Sequence, residues 1–158
     1  MSRAMSVGVA AAAAALLLLP HDICGGASGW QMFRADSQHM GASRSSPDAR
    51  GELAWTFRTG AWVQSSPAVT NGSVYVGSID GCLYALEVST GRERWRFKTA
   101  GPVRSSPAIV EGVVYFGSND RDLYAVDADT GEEKWRSETR GWVVSSPAVV
   151  DGAVYFGS

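Results

Sequence analysis

Tryptophans spaced 40 residues apart, a Ser-Ser-Pro-Ala block that returns twice, and four short strand signals per unit predict an all-β chain. The expected architecture is a β-propeller of four-stranded antiparallel blades whose ring is incomplete in this chain. Trp55, Trp95 and Trp135 mark the spacing. Ser65-Ser66-Pro67-Ala68 returns at 105–108 and 145–148. Val74-Tyr75-Val76-Gly77-Ser78 returns at 114–118 and 154–158, with Phe for the second Val.

The strands follow one by one. Pro67 to Thr70 is a short apolar run. Asn71-Gly72 suits a tight hairpin, because both residues tolerate positive φ. Ser73 to Gly77 is β-branched and aromatic, and Asp80-Gly81 makes the next turn. Cys82 to Val88 alternates, with Leu83 and Ala85 facing one way, Tyr84 and Leu86 the other. Thr90-Gly91 turns again, and Arg92 to Thr99 alternates charged residues with Trp95 and Phe97. No stretch of ten or more residues after Ala27 has helical periodicity. A solenoid needs shorter repeats or helices. The Trp-Asp and Gly-His dipeptides of WD-type propellers are absent.

The chain begins differently. Arg3 and the terminal amine precede an apolar run from Val7 to Leu19; Pro20 ends it, and Gly25, Gly26, Ala27 and Ser28 follow. A charged start, apolar middle and small-residue end describe a secretory signal peptide, residues 1–27. As a helix the run reaches about 20 Å, short of a bilayer core of roughly 30 Å. No transmembrane helix is expected in the mature chain, and the location is secreted or periplasmic. Cys24 raises lipidation and peripheral membrane association, but His21, Asp22 and Ile23 fit a lipoprotein cleavage site poorly. Residues 28–51 form a lead-in and 52–158 the partial propeller.

Composition sets further bounds. The 158 residues are 45% hydrophobic and 19% charged, which suits a folded protein. The formal net charge is -2 and acids and bases interleave, so there is no basic stripe for nucleic acid. Two cysteines, Cys24 and Cys82, are too few for a disulfide framework or a thiolate metal site.

Ala85-x-Glu87-x-x-Thr90-Gly91-x-x-x-Trp95 and Ala125-x-Asp127-x-x-Thr130-Gly131-x-x-x-Trp135 resemble the tryptophan-docking motif of PQQ-like, quinoprotein-type propeller repeats. The second is the better fit, since that family prefers Asp or Asn at its third position. The resemblance covers Leu53 to Ser158. It implies that Thr-Gly turns between the third and fourth strands, that the acid accepts turn hydrogen bonds, and that Trp lies between blades. Trp55, Trp95, Trp135, Thr90, Gly91, Thr130, Gly131 and Asp127 are then structural. Replacing Trp95 or Trp135 with Ala should cost roughly 3–5 kcal/mol. The lead-in from Trp30 to Asp36, with Gly41, is similar to the segment that packs on the blades of such proteins.

Strand counting gives one orphan fourth strand before Ser65, two full blades and half of a third. The expectation is a fragment whose whole would carry seven or eight blades.

Chemistry is sparse. The resemblance includes enzymes that oxidise alcohols or sugars with PQQ and calcium, but this chain has no vicinal cysteine pair and no recognisable calcium pattern. No catalytic, cofactor-binding or metal residue is assigned. His39 stands alone, and the serines of the repeat have no His partner. Cys82 has Asp122 at its repeat position and reads as an inert strand residue.

Positions that break the repeat are the better candidates. Trp62 and Gln64, Pro102 and Arg104, and Trp142 and Val144 lie in successive connections between a fourth strand and the next Ser-Ser-Pro. Trp62, Gln64, Arg104 and Trp142 are candidate ligand-facing residues near the channel mouth. Inter-blade packing for the tryptophans and a solvated Arg is the plainer alternative. The expected function is a non-catalytic binding scaffold with a protein partner and no cofactor, in the manner of BamB-type outer-membrane assembly lipoproteins. The alternatives are a fragment of a PQQ-dependent dehydrogenase and an extracytoplasmic sensor domain.

Overall fold

A computed structural model describes residues 13–17 and 53–158. Cys24, His39 and the lead-in 28–51 lie outside the described residues, as does most of the leader. The strands are β1 (Ala13–Leu17), β2 (Leu53–Arg58), β3 (Ala68–Thr70), β4 (Ser73–Gly77), β5 (Cys82–Glu87), β6 (Glu93–Lys98), β7 (Ala108–Val110), β8 (Val113–Gly117), β9 (Asp122–Asp127), β10 (Glu133–Glu138), β11 (Ala148–Val150) and β12 (Ala153–Tyr155). Strands β3 to β6 form one four-stranded antiparallel sheet, β7 to β10 a second, and β11 with β12 a two-stranded sheet. The two full sheets are the blades expected from the repeat.

In the full chain Ala13–Leu17, within the apolar middle of the leader, pairs antiparallel with β2. An open strand edge satisfies its backbone groups with an extended segment at hand.

Each blade is built by the turns the sequence names. Asn71-Gly72, Glu111-Gly112 and Asp151-Gly152 all have positive φ at both positions, which matches the right-handed twist of a hairpin. The next turn carries Gly81 at φ 83 in the first blade and Arg121 at φ 82 in the second. An L-residue with a side chain pays a steric penalty there that Gly does not. Arg121→Gly should therefore raise stability by about 0.5–1 kcal/mol despite the greater freedom of the unfolded chain, seen as a higher thermal midpoint.

The third strands hold the core together because both their faces are buried. Leu83 and Ala85 of β5 face the second blade, packing in one cluster with Phe116, Tyr124 and Val126. Cys82, Tyr84 and Leu86 face the other way, onto Trp55 and Phe57 of β2. The alternation expected for this strand thus serves two interfaces, one toward each neighbour. The fourth strand β10 is exposed along its whole length, Glu133 to Glu138. Charged side chains on such an outer strand discourage pairing with another chain.

Candidate functional site

The tryptophans of β2 and β6, Trp55 and Trp95, dock on the turn of the following repeat. Trp55 Nε1 donates to the Val88 carbonyl at 2.7 Å, and Trp95 Nε1 donates to the Ala128 carbonyl at 3.0 Å. The rings lie over glycines: a Cβ at Gly91 would stand 2.5 Å from the Trp55 ring, and one at Gly131 2.7 Å from the Trp95 ring. Both glycines have positive φ, so the turn and the close approach require the same residue. Tyr75 adds its hydroxyl to the Ala128 carbonyl at 3.0 Å and packs tilted on Trp95. Trp135 makes the matching contact with Tyr115 and is 41% exposed.

The acid of the motif acts in two ways. Asp127 Oδ1 accepts from the Asp129 and Thr130 amides at 3.0 and 3.1 Å, and Lys134 pairs with Oδ2 at 3.0 Å. The Lys134 bond, then the Thr130 and Asp129 amides, bring its carboxyl down to about 2. Glu87, one methylene longer, accepts from the Thr90 hydroxyl instead.

A second inter-blade device escapes the sequence pattern. Asp80 Oδ2 accepts from Gly60 N at 2.7 Å and from the Tyr84 hydroxyl at 2.8 Å, while Oδ1 accepts from Cys82 N at 3.0 Å. Asp120 repeats this with Ala100 N, Tyr124 and Asp122 N at 2.9, 2.9 and 3.2 Å. Each carboxylate ties the connection before it to its own blade. Burial alone raises the Asp80 carboxyl, but hydrogen bonds from Tyr84, Gly60, Cys82 and Ser78 outweigh it and hold the group below its usual range. Burial, then the bond to Asp80, pushes the Tyr84 phenol well up.

The repeat serines staple the inner strands. Gly77 N donates to Ser65 Oγ at 2.7 Å within one repeat. Across repeats, Ser66 N donates to Ser106 Oγ at 2.8 Å, and Ser105 Oγ to the Ser145 carbonyl at 2.8 Å. These bonds make the recurring serines structural, within a repeat and between repeats.

The carboxylates of the docking and latch groups do not fit a calcium-bound PQQ. Asp80, Asp120 and Asp127 already accept N–H or O–H donors, and a cation there would strand those donors. Among the described residues no three His, Cys, Asp or Glu gather as metal ligands.

The four candidate residues stand together at one end of the blades. There the connections from fourth to first strand meet the turns from second to third: Ile79 N donates to the Trp62 carbonyl, and Asn119 N to the Pro102 carbonyl, both at 2.9 Å. Each connection is extended, so its side chains alternate. Val103 and Val143 point inward and are fully buried, and Val63 packs with Trp55. Their neighbours point out. Trp62 is 60% exposed and Trp142 61%, and Gln64 and Arg104 are also exposed. Inter-blade packing of these tryptophans is therefore not what the structure holds, since the valines between do that work.

Residues 44–158 match the family described as outer membrane protein assembly factor BamB. The chain belongs to this family. No curated protein matches it. Among solved structures, BamB from Moraxella catarrhalis superposes with a TM-score of 0.62 at 23% identity, over 69% of this chain and 35% of that one. Quinohemoprotein alcohol dehydrogenases from Pseudomonas putida HK5 and Comamonas testosteroni superpose with TM-scores of 0.70 and 0.71, each at 25% identity. Both cover 80% of this chain and 22% of theirs. The chain thus spans about a third or less of the length of these structures. The BamB family assignment and the propeller likeness agree with the PQQ-like repeat resemblance read from the docking motif.

Proposed function

We propose that this BamB-family chain is a non-catalytic, extracytoplasmic scaffold that binds a partner protein or ligand at the end carrying Trp62 and Trp142. The observation that supports it most is the exposure of those two tryptophans, 60% and 61%, where Trp55 and Trp95 of the fourth strands are taken up by packing on the next repeat. Large apolar groups held out to solvent on a rigid frame are characteristic of binding surfaces. The BamB relative, named for outer membrane protein assembly, suggests a protein partner and a periplasmic setting.

A second reading, a portion of a PQQ-dependent dehydrogenase, draws on the structural likeness to the two quinohemoprotein enzymes. Titration of the purified protein with PQQ and calcium, followed by dye-linked alcohol oxidation, separates the two. The scaffold reading expects neither saturable quinone binding nor dye reduction. Saturable binding with turnover would overturn it.

A further inference from the structure

Strand β1 stands against β2 as a third strand stands against a fourth. In the first full blade the ladder runs Cys82↔Lys98, Leu83↔Phe97, Tyr84↔Arg96, Ala85↔Trp95 and then Leu86↔Glu93, passing over Arg94. In the second it runs from Asp122↔Glu138 to Ala125↔Trp135 and then Val126↔Glu133, passing over Lys134. The leader repeats that ladder position for position: Ala13↔Arg58, Ala14↔Phe57, Ala15↔Thr56, Leu16↔Trp55 and then Leu17↔Leu53, passing over Ala54. A slip of one residue would turn a whole strand to its other face, and a bulge pins the register. An edge covered by any extended segment at hand has no need to reproduce both. β2 itself is fixed on the first blade, through the Trp55 bond to the Val88 carbonyl and the edge contact of Phe57 with Tyr84, their rings 5.3 Å apart. Its edge is a preformed slot for a third strand, and among the described residues β1 is the strand paired with it.

We propose that Ala13–Leu17 is a placeholder: it holds the third-strand slot on β2, keeps that edge from other strands, and gives way to a segment with the Leu-Tyr-Ala pattern of β5 and β9. The sequences set the direction of exchange. Ala15 stands at the register position of Tyr84 and Tyr124, whose hydroxyls donate to Asp80 and Asp120 at 2.8 and 2.9 Å. Ala11 stands where those aspartates do. Leu16 takes the position of Ala85 and Ala125, both fully buried in their blades. The placeholder thus has the main-chain ladder of a third strand without its latch. Main-chain bonds hold an extended segment of almost any sequence, whereas side chains decide between segments. Withdrawal of Ala13–Leu17 leaves a row of unpaired N–H and C=O groups on β2, the condition that draws in another strand.

Two measurements on the full chain, in a Cys24→Ser, Cys82→Ala background, test this. Thr56→Cys with Ala15→Cys should close an intramolecular disulfide about tenfold faster than Thr56→Cys with Ala14→Cys or Leu16→Cys, since neighbours along a strand face opposite ways. A fluorescein-labelled peptide of residues 119–128, which spans the latch aspartate and β9, then reads the slot by anisotropy. It should bind about tenfold more weakly to the chain locked by the 15–56 disulfide than to the same chain reduced. Ala14→Pro with Leu16→Pro, which removes ladder donors from the placeholder, should strengthen binding by about tenfold. The peptide carrying Tyr124→Ala should lose about tenfold in affinity. Equal disulfide rates in the three pairs overturn the proposal, as does a disulfide that joins two copies of the chain. Peptide binding that ignores both the disulfide and the prolines overturns it too, as does the absence of binding to all of these chains.

Discussion

Trp95→Ala should lower the free energy of unfolding by about 3–4 kcal/mol, whereas Trp135→Ala should lower it by only about 1 kcal/mol. The motif alone treats the two residues alike. The structure separates them by what lies over each ring. Trp95 covers the Gly131 turn, donates to the Ala128 carbonyl at 3.0 Å, and packs on Tyr75 in the cluster shared by both blades. Removing it opens a cavity at the interface and leaves a carbonyl with one donor fewer, Tyr75 remaining. Trp135 is 41% exposed and keeps one ring contact, with Tyr115. Its truncation removes area already partly in water. Urea unfolding of both variants measures the difference directly. Equal losses would mean that the indole acts within its own blade instead of on the next one.

The residues that build blades were legible because they recur. Trp, Thr-Gly, Ser-Ser-Pro and the alternating third strand each repeat at fixed spacing, and a side-chain period of two needs no knowledge of neighbours. The direction of docking was less legible: Trp95 and Gly91 belong to one motif, yet Trp95 meets Gly131 and Gly91 meets Trp55. The motif is a set of halves of two different contacts. The Asp80 and Asp120 latches were missed for a related reason. Asp80-Gly81 reads adequately as a turn, and its partner Gly60 is 20 residues away with no side chain to signal a bond. Trp62, Gln64, Arg104 and Trp142 stood out as candidates because they depart from the repeat, but their exposure was not readable. Exposure depends on the connection being extended, so that Val103 and Val143 take the inward positions.

Gly117→Ala should cost about 3 kcal/mol, near the top of the range for overpacking, although one methyl is the smallest possible addition. Gly117 ends β8 with an unexceptional backbone, so its requirement for glycine is one of space. A Cβ there would lie 2.3 Å from Val143 Cγ1 and 2.4 Å from the Val143 carbonyl oxygen. Gly77 meets Val103 in the same way, at 2.6 and 2.9 Å, so the close approach belongs to the repeat. A side-chain clash alone yields to a smaller partner; a clash with a carbonyl moves only if the connection moves. Gly117→Ala combined with Val143→Ala should therefore recover only part of the loss, and the coupling energy of the double-mutant cycle reports the side-chain share. Gly112→Ala supplies the contrast, with φ 75 and nothing within 4 Å of its Cβ. Its cost should be about 1–2 kcal/mol, from backbone strain alone. If Gly117→Ala proved no worse than Gly112→Ala, the connection would be yielding, and the rigid platform that holds Trp142 out to solvent would not exist.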